Sequence, residues 1–157
     1  MSIEDDIAFL ERVPTLAVLG REALRILAIG AENRYVHDGV ALFKEGEAAD
    51  GAYVVQEGSF DLISQGGVAI RPSTAVPGTL IGELALVTET TRPVTATARE
   101  PSTVVRIPRT LFLKMLEGYP DAARRLRDSI AARSSVGARE LAKVRAVLDG
   151  GGAPPRR

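Results

Sequence analysis

The sequence predicts a mainly β domain flanked by helices. Residues 4–30 place apolar side chains at three- and four-residue intervals, residues 33–106 alternate short apolar clusters with glycines, and helical spacing returns after Pro108. Short strands separated by turn glycines at this frequency build an antiparallel sandwich, roll or barrel.

In the leading segment, residues 1–32, Ile7, Phe9 and Leu10, then Leu16, Leu19, Leu24, Leu27 and Ala28, follow amphipathic spacing interrupted at Pro14 and Gly20. Two short helices are expected there. Over residues 33–107 the clusters at 40–43, 53–55, 60–63, 68–70 and 103–105 read as strands. Gly39, Gly46, Gly51, Gly58, Gly66, Gly67 and Gly78 fall mostly between them. In residues 108–148, Leu111, Phe112, Met115 and Leu116 share a helix face that Gly118 ends. Pro120 opens another helix with Asp121 in its first turn. Its stripe of Leu126, Ile130, Leu141, Val144 and Leu148 is weakened at Ser134, Ser135 and Gly137, where a bend is expected. Residues 149–157, mostly Gly, Pro and Arg, have no means of packing and are expected to be disordered. The whole reads as one domain.

Composition removes several function classes. Lys+Arg and Asp+Glu both total 20, so no global basic field draws the chain to nucleic acid or anionic lipid. Residues 121–157 carry nine Lys/Arg against four Asp/Glu, which reads as a solvated helix face. Cysteine is absent and His37 is the single histidine, so neither a disulfide nor a Cys/His metal cluster is expected. His37 beside Asp38 lacks a nucleophile motif and reads as structural, as do Thr88, Thr90, Thr91, Thr95 and Thr97. Four Phe, three Tyr and no Trp give few platforms for stacking single-stranded bases. Glu4, Asp5 and Asp6 stand where a secretory signal carries positive charge, and no apolar stretch is long enough to span a bilayer. A cytoplasmic, metal-free protein with no catalytic chemistry is expected.

The informative stretch is 81–98. Gly82 lets backbone approach a ligand closely, and Glu83 to Leu86 form one helical turn whose N–H groups face an anion. Arg92 could clamp a phosphate with paired donors, while the Glu83 carboxylate could accept hydrogen bonds from sugar hydroxyls. On generic grounds Glu83 and Arg92 could equally form an ion pair on a surface loop.

Gly82-Glu83-Leu84-Ala85, the spacing to Arg92, and Val94-Thr95-Ala96 resemble the phosphate-binding cassette of the cyclic-nucleotide-binding domain family, which includes catabolite activator protein and the regulatory subunits of protein kinase A. The resemblance extends over roughly residues 9–148. It implies an antiparallel β-roll of the double-stranded β-helix or jelly-roll type, with about eight strands, N-terminal helices and a C-terminal lid helix. It places the cassette at 81–95. Glu83 would hold the ribose 2′-hydroxyl and Arg92 the cyclic phosphate, with the N–H groups of Leu84 and Ala85 as further donors and Ile81 and Val94 lining the apolar part of the pocket. Pro93 departs from the family, whose members often carry Ala, Ser or Thr there; it offers no N–H. A water or Thr95 could compensate.

The ligand implied is cAMP, with cGMP as the alternative, and no cofactor. Movement of residues 121–148 would report binding to a protein effector or, through the C-terminal helix, to a second copy of the chain. No DNA-binding domain is expected in the sequence. The competing expectation is a degenerate fold that lost its ligand and serves as an interaction scaffold.

Overall fold

The computed structural model describes residues 2–65 and 72–132 together with Leu148. The expected strand at 68–70, the glycines Gly66 and Gly67, the bend at Ser134, Ser135 and Gly137, the stripe positions Leu141 and Val144, and the tail 149–157 lie outside the described residues. The chain divides into two compact units, one of Met1–Gly30 with Arg109–Arg157 and the other of Ala31–Pro108.

The first unit is helical. Three helices, where two were expected, open it: α1 Ile3–Glu11, α2 Pro14–Ala17 and α3 Arg21–Gly30. Pro14 both ends one helical run and begins another, because at the first helical position its missing N–H is not needed. Ser2 and Asp5 close a reciprocal capping box on α1. After the β segment come α4 Arg109–Gly118 and α5 Pro120–Ala131, which stop and start where Gly118 and Pro120 indicate. Leu16, Leu19, Leu24, Leu27, Phe112, Met115 and Leu126 are each at most 2% exposed, so the expected stripes form this unit's core. Leu148 is also buried. The Arg125 guanidinium ties α5 to the turn before α3, donating from Nε to Val18 O at 2.7 Å and from Nη2 to Leu19 O at 2.8 Å.

The second unit is antiparallel β, as expected. It contains β1 Glu32–Val36, β2 Ala41–Phe43, β3 Ala48–Ala49, β4 Gly51–Glu57, β5 Phe60–Ile63, β6 Ser73–Ala75, β7 Leu80–Ile81, β8 Thr90–Thr91, β9 Thr95–Ala98 and β10 Ser102–Pro108. They pair as two four-stranded sheets, β1-β10-β4-β7 and β2-β9-β5-β6, and the ribbon β3-β8. Ten strands among the described residues exceed the expected eight because β3, β7 and β8 have only two residues each and exist through their partners. The sequence clusters also missed β1, where Glu32, Asn33, Arg34 and Tyr35 are all exposed and no apolar alternation marks the edge strand.

Inward side chains of both sheets meet in one cluster that includes Val36, Phe43, Tyr53, Val55, Phe60, Ile81, Val94, Ala96 and Val104. In β9 the alternation is regular, with Ala96 and Ala98 inside. In β10 Val104 joins this cluster while Val105 and Ile107 are buried outside it, so alternate residues of this inner strand are buried on its two faces; a register shift between Thr103 and Val104 precedes them. Gly51 is not a turn glycine. It opens β4 opposite Pro108, where a Cβ would collide with the Ile107 carbonyl.

Candidate functional site

Arg92 is the centre of the site, and its position is fixed through backbone. Thr90 and Thr91 pair with Ala49 and Ala48 in the β3-β8 ribbon. The Arg92 N–H then donates to Glu47 O at 2.8 Å, and the Arg92 carbonyl accepts from Gly46 N–H at 2.8 Å. Gly46 turns with φ +89°, in the left-handed region that glycine enters without strain. These bonds send the side chain inward, where Arg92 is only 4% exposed.

Inside, the guanidinium carbon lies 4.4 Å from the centroid of the Phe43 ring and 5.5 Å from that of Tyr53. The two rings stack at 5.9 Å with 27° between their planes. Arg92 Nη1 is buried and has no hydrogen-bond partner among the described residues, and none of the described ion pairs includes Arg92. Burial pushes the guanidinium below its ordinary value, opposed by the electrostatic influence of Tyr53, Asp50 and Glu47. Arginine stays charged despite such a shift. A surface ion pair on a loop therefore does not describe this residue.

The second component is the turn after β7. Register sets Ile81 opposite Tyr53 and Leu80 opposite Val54, so the chain leaves β7 beside the aromatic pair. Gly82 follows with φ +84° and caps a single 3₁₀ turn, Glu83–Leu86. A Cβ on Gly82 would collide with Arg92 Nη1, so backbone and guanidinium approach as closely as a missing side chain permits. The Ala85 N–H donates to Gly82 O at 3.0 Å, closing the turn. The N–H groups ahead of that bond stand outside the turn's own ladder.

Of the sequence-derived residues, the fold brings Ile81, Gly82, Arg92 and Val94 to one place, with Ile81 and Val94 in the same buried cluster as Phe43 and Tyr53. Glu83 and Leu84 are half-buried at the start of the turn and Ala85 is buried. Pro93 is exposed. Thr95 Oγ1 accepts the Glu45 N–H at 2.9 Å, which leaves its own proton available for donation. Sequence reasoning missed Phe43 and Tyr53 as site residues and read them only as strand residues. Their signal was aromatic identity on strands preceding the cassette, but nothing local shows that both face the same arginine. His37 sits edge-on to Tyr35 at 4.6 Å, in keeping with a structural role. Among the described residues no group of three or more His, Cys, Asp or Glu side chains could hold a metal ion, and no helix is long and apolar enough to cross a membrane.

The β unit thus sets a glycine-capped turn beside a buried arginine whose Nη1 has no hydrogen-bond partner among the described residues, an arrangement chemically suited to an anion. The model of the cyclic nucleotide-binding domain matches residues 33–119, and the chain belongs to that family. A cyclic nucleotide-binding-like protein from Brucella abortus is 40% identical with a TM-score of 0.62, over 72% of this chain and 98% of its own. A cAMP-dependent protein kinase regulatory subunit from Yarrowia lipolytica is 32% identical over 108 residues, 69% of this chain and 28% of that protein. A lysophospholipase from Neurospora crassa is 33% identical over 101 residues, 62% of this chain and only 7% of that enzyme. The chain thus spans a minor part of these two curated relatives. By family it is a cyclic nucleotide-binding domain, with the mainly antiparallel β-roll that the resemblance implied.

Proposed function

We propose that the chain is a cytoplasmic cyclic-nucleotide sensor that prefers cAMP to cGMP and has no catalytic chemistry of its own. The observation that carries this reading is the buried Arg92 Nη1, a charged donor beside Gly82 without a partner among the described residues. An orphaned buried donor is expensive to maintain, and a site that binds an anion supplies the missing acceptor. In this reading Arg92 clamps the cyclic phosphate, the N–H groups of Leu84 and Ala85 add donors, and Glu83 holds the ribose 2′-hydroxyl. Ala85 would share its N–H with Gly82 O. Ile81 and Val94 contact the apolar part of the ligand, and Gly82, Pro93 and Thr95 shape its approach.

Signalling would follow from residues 121–148 adopting different positions with and without ligand, the difference in affinity between the two setting the switch. The output would be a protein effector or a second copy of the chain through the C-terminal helix. Pro93, exposed and without an N–H, supports a second reading in which the fold has lost its ligand and acts as a scaffold.

Calorimetric titration with cAMP and cGMP, joined to thermal unfolding, separates the two. A sensor gains about 2.7 kcal/mol at a hundredfold excess of ligand over Kd, and its midpoint rises by several degrees. No heat and no shift with either nucleotide would leave the scaffold.

A further inference from the structure

We infer that the stacked Phe43 and Tyr53 rings form a cation–π seat that positions the Arg92 guanidinium, with Phe43 its principal positioning residue. The inference rests on the reading of Arg92 as the phosphate clamp. A buried arginine ordinarily has a carboxylate to compensate its charge. Here Asp50 and Glu47 act on Arg92 without forming an ion pair with it, and the Asp50 carboxylate is engaged by Arg106 at 2.9 Å. What does contact the guanidinium is aromatic: Phe43 at 4.4 Å and Tyr53 at 5.5 Å, both inside the distance of about 6 Å at which a ring face attracts a cation.

Neither ring is free to drift. Phe43 is 6% exposed and pairs with Ala96 of β9, while Tyr53 is 5% exposed, pairs with Arg106 and Ile81, and accepts Arg34 Nη1 on its hydroxyl at 3.4 Å. A ring quadrupole stabilises a cation without neutralising it. The seat therefore holds the Arg92 charge in place yet leaves it unspent, and among the described residues no carboxylate is paired with it for an incoming phosphate to displace. An aliphatic side chain at position 43 would fill the same volume and hold no charge.

The test replaces Phe43 with phenylalanines of rising fluorine content, ending at pentafluorophenylalanine, which drain the negative ring face while keeping its shape. Thermal midpoints of the ligand-free full chain are measured with wild-type Arg92 and with Arg92→Met. The seat is supported if full fluorination lowers the midpoint by about 2 to 4 °C with Arg92 present and leaves it unchanged in the Arg92→Met background. Equal shifts in both backgrounds would reduce Phe43 to packing and overturn the seat. Calorimetry with cAMP forms the second arm, and affinity should fall stepwise with fluorination by about tenfold in all. Flat affinity alongside a coupled stability cycle would overturn the positioning role. If wild type binds neither cAMP nor cGMP, the proposed function falls instead, and the stability cycle still decides whether the seat exists.

Discussion

Gly82 and Arg92 compete for one volume: a Cβ on Gly82 would meet the Arg92 Nη1, and the φ of +84° at Gly82 is one that side chains seldom adopt. Gly82→Ala therefore combines backbone strain of about 1 to 2 kcal/mol with displacement of the guanidinium. The midpoint should fall and cAMP affinity should drop by more than about tenfold, since about 1.4 kcal/mol suffices for that. Gly78→Ala is the control, because its φ of +93° carries the same strain with open space around the new methyl. If the two variants unfold and bind alike, the collision at Gly82 has no consequence.

Arg92 itself should matter to ligand and not to folding. Its buried donor lacks a partner among the described residues, a situation that costs about 1 to 3 kcal/mol, so removing charge and donor together relieves a penalty. Arg92→Met keeps length and apolar stem, and the ligand-free midpoint should stay level or rise while cAMP-dependent stabilisation disappears. Retained cAMP affinity in a folded variant would exclude Arg92 as the clamp.

The fold was legible wherever a pattern is local. Gly118 and Pro120 mark helix ends through their own backbone chemistry, and the cluster at 60–63 matches β5 because its residues suit a half-buried strand in any context. β1 was not legible, because five residues reading Glu-Asn-Arg-Tyr-Val become a strand only by pairing with β10. The site divides the same way. Gly82, Glu83 and Arg92 lie within one short motif, whereas Phe43 and Tyr53 reach Arg92 through pairings with β9 and β7 whose register no single segment encodes. That Arg92 would be buried also lay beyond the sequence, since a charged residue between Thr91 and Pro93 reads as exposed.

In the helical unit, Arg125 donates to two carbonyls, Val18 O at the C-cap of α2 and Leu19 O in the turn that follows it. Arg125→Met should cost about 1 to 2 kcal/mol, a value set below that of fully buried charged bonds because the side chain is partly in water. Arg124→Met removes only an exposed pair with Asp121 and should be nearly neutral. Urea unfolding of both compares them directly, and equal midpoints would show that the Arg125 bonds contribute nothing.

Glu83 opens the 3₁₀ turn next to Gly82, so its backbone position is set by the same turn. Glu83→Gln keeps the shape and loses the charge that strengthens bonds from hydroxyl donors. Affinity for cAMP should fall by about tenfold, the equivalent of about 1.4 kcal/mol, with 2′-deoxy-cAMP comparatively unaffected. Parallel titrations of the two ligands give the answer, and an equal loss for both would make Glu83 a loop residue with no hold on the sugar.

On the proposed reading base preference turns on Pro93, which is exposed directly after the buried arginine and supplies neither an N–H nor a hydroxyl. A Thr or Ser hydroxyl at that place could bond the amino group of guanine turned over the sugar, so its absence removes a contact that only cGMP would make. cAMP should bind more tightly, by a margin near the contribution of one neutral hydrogen bond, about 0.5 to 1.5 kcal/mol. Thr95 Oγ1 accepts the Glu45 N–H and keeps its own proton to donate, so it is left unchanged in every variant below. Pro93→Thr restores both a hydroxyl and a backbone donor. It should strengthen binding of both nucleotides through the phosphate and narrow the difference between them through the base, two effects that separate because only the second depends on the ligand. Pro93→Ala isolates the first, since it returns the N–H without the hydroxyl. Titration of wild type and both variants with both nucleotides yields a six-value set in which Pro93→Ala should raise affinities in parallel and Pro93→Thr should favour cGMP beyond that. A wild-type preference for cGMP, or identical ratios in the two variants, would remove Pro93 as the selector.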